Sequence, residues 1–331
     1  MQSRREFTGT LSLAGAAVLA GVPSCLADEG SPETTTITLL KDPTCGAPIS
    51  IAEELMHTEG FTDVRFVDFA PDKTDAEMIA GRWLDIGVTF AVDVIRQLDA
   101  GVPLTVLAGV HPGCVELFAH EPIRDIRELK GKRVAVWETQ YSGRMLLTIM
   151  AANVGLDPAS DIDWVTTTME DAAEVFATGE ADALLAIPPM AQDLSARKIG
   201  RVILSTATDR PWSQYFCCML STSREYLRQH PIATKRAMRA ILKSTDMCAA
   251  DPALAAQRLV AGGFAPRYDD ALQLLSGLPY GKWREYDPED TLRFFALQLR
   301  EPGFIKSSPQ RIIAEGSDWR FLQEIKRELK T

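Results

Sequence analysis

The residues best equipped to hold a small molecule sit in short polar loops next to apolar runs. Thr139, Gln140, Tyr141 and Ser142 supply two hydroxyls, an amide and a phenol, and Gly143 then leads into the stripe Met145, Leu146, Ile149, Met150. At that spacing Ser142 can cap a helix, and the free N–H groups of the first turn can also hold an anion or a polar edge; one residue can serve both roles. Glu170 and Asp171 are neighbouring carboxylates, but adjacent helical residues point apart, so they read as the first turn of a helix rather than an acid–base pair. His57, His111, His120 and His230 never fall at metal-ligand spacing. Cys45, Cys114, Cys217, Cys218 and Cys248 are irregularly spaced and read as small apolar core residues, not as a disulfide framework or a zinc site. A P-loop, a GxGxxG after a strand, a GxSxG elbow and an HExxH are all missing, so the sequence offers little for enzymes of those classes.

The elements that position these loops alternate. Strands are predicted at Ile37 to Leu40, Val64 to Val67, Asp85 to Val88 and Leu104 to Ala108, with helices at Ile49 to Thr58, Asp75 to Ala80 and Val92 to Leu98. The order then repeats: a strand at Arg133 to Trp137, a helix at Gly143 to Val154, a strand at Ile162 to Val165, a helix at Met169 to Ala177. Gly81 followed by Asp85 and Gly179 followed by Asp182 mark the same junction in each half, a glycine stop, an aspartate, then an apolar strand. Two similar halves with short links imply parallel sheets and a cleft where the strand ends meet. The chain should cross between the lobes near Ala119 to Pro122 and again near Ser205 to Tyr215. Beyond that it turns helical, and Lys235, Arg236, Arg239 and Lys243 read as the solvated face of an amphipathic helix.

With 331 residues, 46% hydrophobic and 24% charged, the chain can fill two lobes of about 100 to 150 residues each. A formal charge of −10 argues against nucleic acid or anionic lipid as partner. Ser3, Arg4, Arg5, Glu6 and Phe7 match the twin-arginine pattern, and residues 8 to 22 form a mild apolar run too short to span a membrane. Cleavage is expected after Ala27, in Cys25-Leu26-Ala27, with a periplasmic mature protein; a lipidated Cys25 is the rival, which Pro23 disfavours. Residues 28 to 35 (DEGSPETT) are read as a flexible tether.

The segment Asp125 to Val136 (DIRELKGKRVAV) resembles the DLKGKxVxV motif of periplasmic substrate-binding proteins of ABC importers, of the nitrate, sulfonate and taurine type. Val106 to His111, Trp212 to Cys218 and Glu315 to Leu322 support the resemblance, which spans Thr35 to the C-terminus. It implies an α/β type II periplasmic-binding-protein fold, each lobe a mainly parallel sheet flanked by helices, with extra C-terminal helices. Lobe 1 would take residues 36–120, lobe 2 residues 121–212, and residues 213–331 would return to lobe 1 and finish the helices. The resemblance implies a monomeric receptor that closes on a small molecule and delivers it to an inner-membrane permease with its ATPase, without a cofactor. Carried onto the strand-end loops, it gives Thr44, Cys45, Thr89, Phe90, Gln140, Tyr141, Ser142, Pro189, Trp212 and Tyr215 as ligand contacts, among which Phe90 and Trp212 could instead be core aromatics. The ligand class stays open between a pyrimidine, an aromatic acid and a small oxyanion.

The same superfamily includes thiamine-pyrimidine synthase, an enzyme. Its pyridoxal-phosphate lysine and consumed histidine, four residues apart after an Asp-x-Gly strand, correspond to Thr89 and Asp93, and neither side chain can replace its counterpart. Its cysteine-rich iron segment is reduced here to Cys217 and Cys218, read as packing.

Overall fold

A computed structural model describes residues 29–70, 73–137 and 143–330. The chain divides into two compact units, Met1–Ser31 and Pro32–Thr331, and the architecture below is that of the second. The twin-arginine segment, Cys25, Gln140, Tyr141 and Ser142 lie outside the described residues.

The first lobe is laid down by β1 (Thr36–Leu40), α1 (Ala47–Ser50), α2 (Glu53–Thr58), β2 (Asp63–Val67), α3 (Asp75–Ala80), β3 (Ile86–Phe90), α4 (Ala91–Asp99) and β4 (Leu104–His111). The second contains β5 (Glu116–Ala119), β6 (Lys132–Trp137), α5 (Gly143–Asn153), β7 (Ile162–Thr167), α6 (Ala172–Ala177), β8 (Ala183–Ala186), α7 (Met190–Ala196) and β9 (Arg201–Ser205). The chain returns through β10 (Cys218–Ser223) and ends in α8 (Arg224–Gln229), α9 (Pro231–Ala250), α10 (Pro252–Ala261), α11 (Tyr268–Gly277), α12 (Pro288–Arg300), α13 (Pro309–Gly316) and α14 (Arg320–Glu328). Local rules explain many boundaries. Thr74 and Glu77 form a reciprocal capping box at the start of α3, and proline opens α9, α10, α12 and α13, where its missing N–H costs nothing.

Sheet order is β1–β2, β3–β10–β4 and β7–β6–β8–β5–β9. The sheets are less uniformly parallel than expected, because each lobe contains one reversed strand: β5 runs antiparallel to β8 and β9, and β10 antiparallel to β3 and β4. In both cases it is the strand made on entering the lobe from the other one. The first crossing therefore falls between His111 and Glu116, not at Ala119 to Pro122, since β5 is already part of the second lobe's sheet. The second crossing runs from Thr206 to Cys217. The two crossing segments are stitched together: Thr206 N–H donates to the Val115 carbonyl at 2.9 Å, Val115 N–H to Thr206 Oγ1 at 3.0 Å, and Cys217 N–H to the His111 carbonyl at 3.0 Å.

In the second lobe the central strands β6, β8 and β5 are largely buried on both faces, as continuous apolar runs require, while the edge strands β7 and β9 are partly exposed. Phe118, Ala135 and Leu184 face one way, onto Phe176 and Leu194 of α6 and α7; their neighbours Leu117, Val134, Val136 and Leu185 face the main core. In the first lobe Phe216 lies flat on Gly109 of β4, where any Cβ would come within 2.2 Å of the ring. The stretch Glu315 to Leu322 closes on the same strand, with Asp318 N–H donating to the Val106 carbonyl at 3.0 Å.

Two expectations are corrected here. Residues 28–35 are not a free tether along their whole length: Glu33 accepts the N–H groups of Ile232 and Ala233 at 3.0 Å each and so caps α9 from a distance. The basic run on α9 is not a solvated face. Arg239 is 2% exposed and donates to Glu59 at 2.6 Å and Glu328 at 2.8 Å; Lys243 reaches Glu59 at 2.9 Å and Lys235 reaches Glu324 at 2.7 Å. Helical periodicity could not reveal that α14 and the end of α2 supply carboxylates to cover this face.

Candidate functional site

The strand ends of the two lobes enclose a cleft of about 700 Å³. Its wall is largely apolar and aromatic, with Phe69, Phe90, Trp137, Leu146, Met169 and Ile187 prominent. Asp42, Asp75 and Glu170 bring three carboxylates, and Lys41 is the one Lys or Arg among the described lining residues. Arg144 is turned elsewhere, with its guanidinium over the Trp164 ring.

The loop after β1 is built by Asp42. Its carboxylate accepts the N–H groups of Thr44 and Gly46 at 2.7 Å each, and the Thr44 hydroxyl as well. Asp42 is thereby committed to holding the loop, and Thr44, with its proton already donated, faces the cleft as an acceptor. The next residue, Cys45, is fixed through its carbonyl by His111 Nε2 at 3.2 Å. Burial pushes the His111 pKa down to about 4, so the ring that braces this loop is neutral at physiological pH.

Two polar atoms in the wall have no partner among the described residues. Asp75 opens α3 with its Oδ1 shut off from solvent and unbonded, and Trp137, at the end of β6, has an enclosed Nε1–H that donates to nothing. Burial first, then the charges of Asp42 and Asp93, hold the Asp75 carboxyl well above the ordinary carboxylate range. Trp137 is held in place by Gly143, where a Cβ would lie 3.0 Å from the indole Cε2. Buried polar groups are nearly always satisfied, so these two atoms are exceptions on residues that line the cavity.

Of the sequence-derived contacts, Thr44, Cys45 and Phe90 stand in the cleft wall. Thr89 does not: it is 1% exposed, with its hydroxyl donating to the Met219 carbonyl at 3.1 Å and paired with Ser221 Oγ at 2.8 Å. Alternation along β3 sends it to the opposite side from its neighbours. Pro189 is exposed at the start of α7 and outside the lining. Trp212 packs on Phe294 and Phe295, and Tyr215 stacks on Phe294 at 3.9 Å; together with Phe90 they line a small apolar void separate from the main cleft. Gln140, Tyr141 and Ser142 lie outside the described residues. Glu170, read as a first-turn helix residue, precedes α6 and lines the cleft instead. Asp75 and Trp137 were missed because each fits an ordinary local role, an acidic first-turn residue and an apolar strand end.

The cysteines also depart from the reading as isolated core residues. Cys45, Cys114 and Cys218 line the cleft, and their sulfurs all lie within 4.8 Å of one another, Cys114 to Cys218 at 3.9 Å. Burial pushes the Cys114 thiol well up, and the contact with Cys114 pushes Cys218 up to about 12, so all are thiols at rest. Cys217 points to the small void on the other side.

The fold is the two-lobed one of periplasmic binding proteins, with a cleft at the strand ends. The chain belongs to the NMT1/THI5-like family, which it matches over residues 58–255. No curated protein sequence matches it. Its structure is similar to that of the periplasmic nitrate-binding protein NrtA from Synechocystis PCC 6803, at TM-score 0.77 and 16% identity over 91% of this chain and 90% of that one. It is similar to the periplasmic aliphatic sulphonate-binding protein SsuA from Escherichia coli, at TM-score 0.67 and 19% identity over 86% and 92% of the two chains. It is likewise similar to the Candida albicans CA3427 gene product, described as having the generic periplasmic binding protein fold, at TM-score 0.66 and 12% identity over 86% and 96%.

The residues do not fit pyridoxal phosphate at the family enzyme's lysine position. Thr89 carries no amine and its hydroxyl is engaged inside the β3–β10 ladder, while Asp93 is buried and bound to Arg96 at 3.0 Å.

Proposed function

We propose that this protein is the solute receptor of an ABC-type importer, exported by the twin-arginine route, which closes on a small molecule and hands it to a membrane permease driven by a cytoplasmic ATPase. Family membership and the likeness to nitrate- and sulphonate-binding proteins support the receptor reading. The solute, however, differs in charge from nitrate or a sulfonate. Acidic side chains outnumber the one lysine among the described lining residues and give an anion little to pair with, whereas Asp75 Oδ1 and Trp137 Nε1, without partners among the described residues, suit a ligand with both a basic or donor nitrogen and an acceptor. The aromatic wall suits a flat ring. A neutral or weakly basic nitrogen heterocycle of the aminopyrimidine class meets all three demands, and the pair Asp75–Trp137 is the observation that carries this choice.

A thermal-shift panel of aminopyrimidines, aromatic acids, sulfonates, nitrate and bicarbonate tests it. A solute at a hundredfold excess over its Kd should stabilise the fold by about 2.7 kcal/mol. Aminopyrimidines should register and the anions should not, and Asp75→Asn or Trp137→Phe should each weaken the hit about tenfold or more, about 1.4 kcal/mol. Stabilisation by nitrate or a sulfonate, or a hit indifferent to both substitutions, would defeat the proposal. Incubation with pyridoxal phosphate, ferrous iron and oxygen should give no pyrimidine phosphate; its detection by mass spectrometry would restore the enzyme reading.

A further inference from the structure

Three cysteines far apart in the sequence meet at the cleft wall. Cys45 comes from the loop after β1, Cys114 from the first crossing and Cys218 from the start of β10, just past the second crossing, so three separate segments contribute one sulfur each. Cys114 is held there with a φ of +81°, a backbone region few residues other than glycine adopt. Cys45 is half-buried and the other two are buried, so the trio opens to the cleft on one side only.

We propose that Cys45, Cys114 and Cys218 form a three-sulfur site for one thiophilic monovalent metal ion, copper(I) in the first instance. A metal–sulfur bond of about 2.3 Å in a trigonal plane places the sulfurs about 4 Å apart. The 3.9 Å between Cys114 and Cys218 already meets that spacing, and the third sulfur lies within 4.8 Å of both. Among the described residues no histidine, aspartate or glutamate joins the three sulfurs, which leaves a closed structural zinc site one ligand short and suits an ion content with three soft donors. Calcium or magnesium would find none of the oxygen ligands they require. Binding forms three metal–sulfur bonds, releases the three thiol protons to solvent, and moves no electron: the ion enters and stays monovalent.

The site borders the solute cleft, but the inference does not depend on the receptor reading, since the metal is titrated with no organic solute present. The full mature chain, reduced and kept anaerobic, is titrated with copper(I) against a chromophoric copper(I) chelator. One equivalent should bind with near-ultraviolet thiolate-to-copper absorption and proton release. Alkylation followed by mass spectrometry should find Cys45, Cys114 and Cys218 protected in the wild-type chain, a measurement that needs no variant to fold. Cys45→Ser, the least buried change, should weaken uptake by more than about a hundredfold, beyond what loss of an outer partner typically does. Cys248→Ser, within α9, should leave it unchanged. Failure to take up one equivalent, uptake that survives Cys45→Ser, or protection that maps to other cysteines overturns the proposal.

Discussion

Asp182 accepts the backbone N–H of Arg133 at 2.9 Å and returns its own N–H to the Arg133 carbonyl at 2.8 Å. Asp85 does the same with Thr38 in the other lobe, at 2.7 and 2.9 Å. Each aspartate staples the strand it begins to the first strand of its half, which is the structural content of the repeat seen in the sequence. Truncating either to alanine orphans a partly buried N–H and should cost about 1–3 kcal/mol in urea unfolding. The two should respond differently to acid. The Arg133 guanidinium holds the Asp182 carboxyl below its ordinary range, so the stabilisation it gives is present above the unfolded pKa and is lost as pH falls through the folded one. Asp85 is pushed up by burial, so the Asp182→Ala penalty should shrink in acid while that of Asp85→Ala should not. A Asp182→Ala penalty that grows on acidification would contradict this account.

Asp75 supplies the sharpest pH test. A carboxyl whose folded pKa is raised favours the folded state below the ordinary carboxylate range, and that contribution is lost as pH rises through the folded value. Asp75→Asn, which cannot ionise, should therefore raise the Tm of the solute-free protein at pH 8 and leave it unchanged at pH 4. Melting curves at the two pH values decide it; an equal shift at both would show that charge at Asp75 is not the cause.

The buried pair between Arg239 and Glu59 should be intolerant of half-removal. Glu59→Gln takes one of two carboxylates from a guanidinium that is 2% exposed, and deprives Lys243 of its partner as well, at a cost of about 3 kcal/mol. Replacing both partners by apolar residues of similar size should recover most of that loss in denaturant unfolding. If the double variant is no more stable than the single one, the network acts through packing and not charge.

The proposed export route rests on Arg4 and Arg5. Converting both to lysine preserves charge yet should leave the precursor in the cytoplasm, as cell fractionation would show. Normal recovery of the double-lysine chain in the periplasm would point to general secretion.

The sequence was most informative where function is carried by local repetition. Strand-end loops follow from the alternation of apolar runs and caps, and the family resemblance then singled out Thr44, Cys45 and Phe90 on them, which the structure places in the cleft wall. It could not reach strand direction, because Leu117 and Phe118 look alike whether β5 runs with or against β8, and so the first crossing was placed too late. Nor could it separate Trp212 from Trp137: both sit beside a strand end, and only the packing of α12 shows that Trp212 is covered by Phe294 and Phe295. The meeting of Cys45, Cys114 and Cys218 depends on contacts across more than a hundred residues, which no spacing rule anticipates.

The reversed strands also fix the order in which the chain can mature during synthesis. β10 lies between β3 and β4, so the first lobe lacks its middle strand until Ser223 has been made, whereas every strand of the second lobe lies between Glu116 and Ser205. On the ribosome the lobe that begins later is thus the first that can complete its sheet, and the N-terminal strands must wait, unpaired at the centre, for more than a hundred residues of translation. A nascent chain stalled near Ser205 would expose the edges of β3 and β4 together, the stage at which this protein has most need of a chaperone.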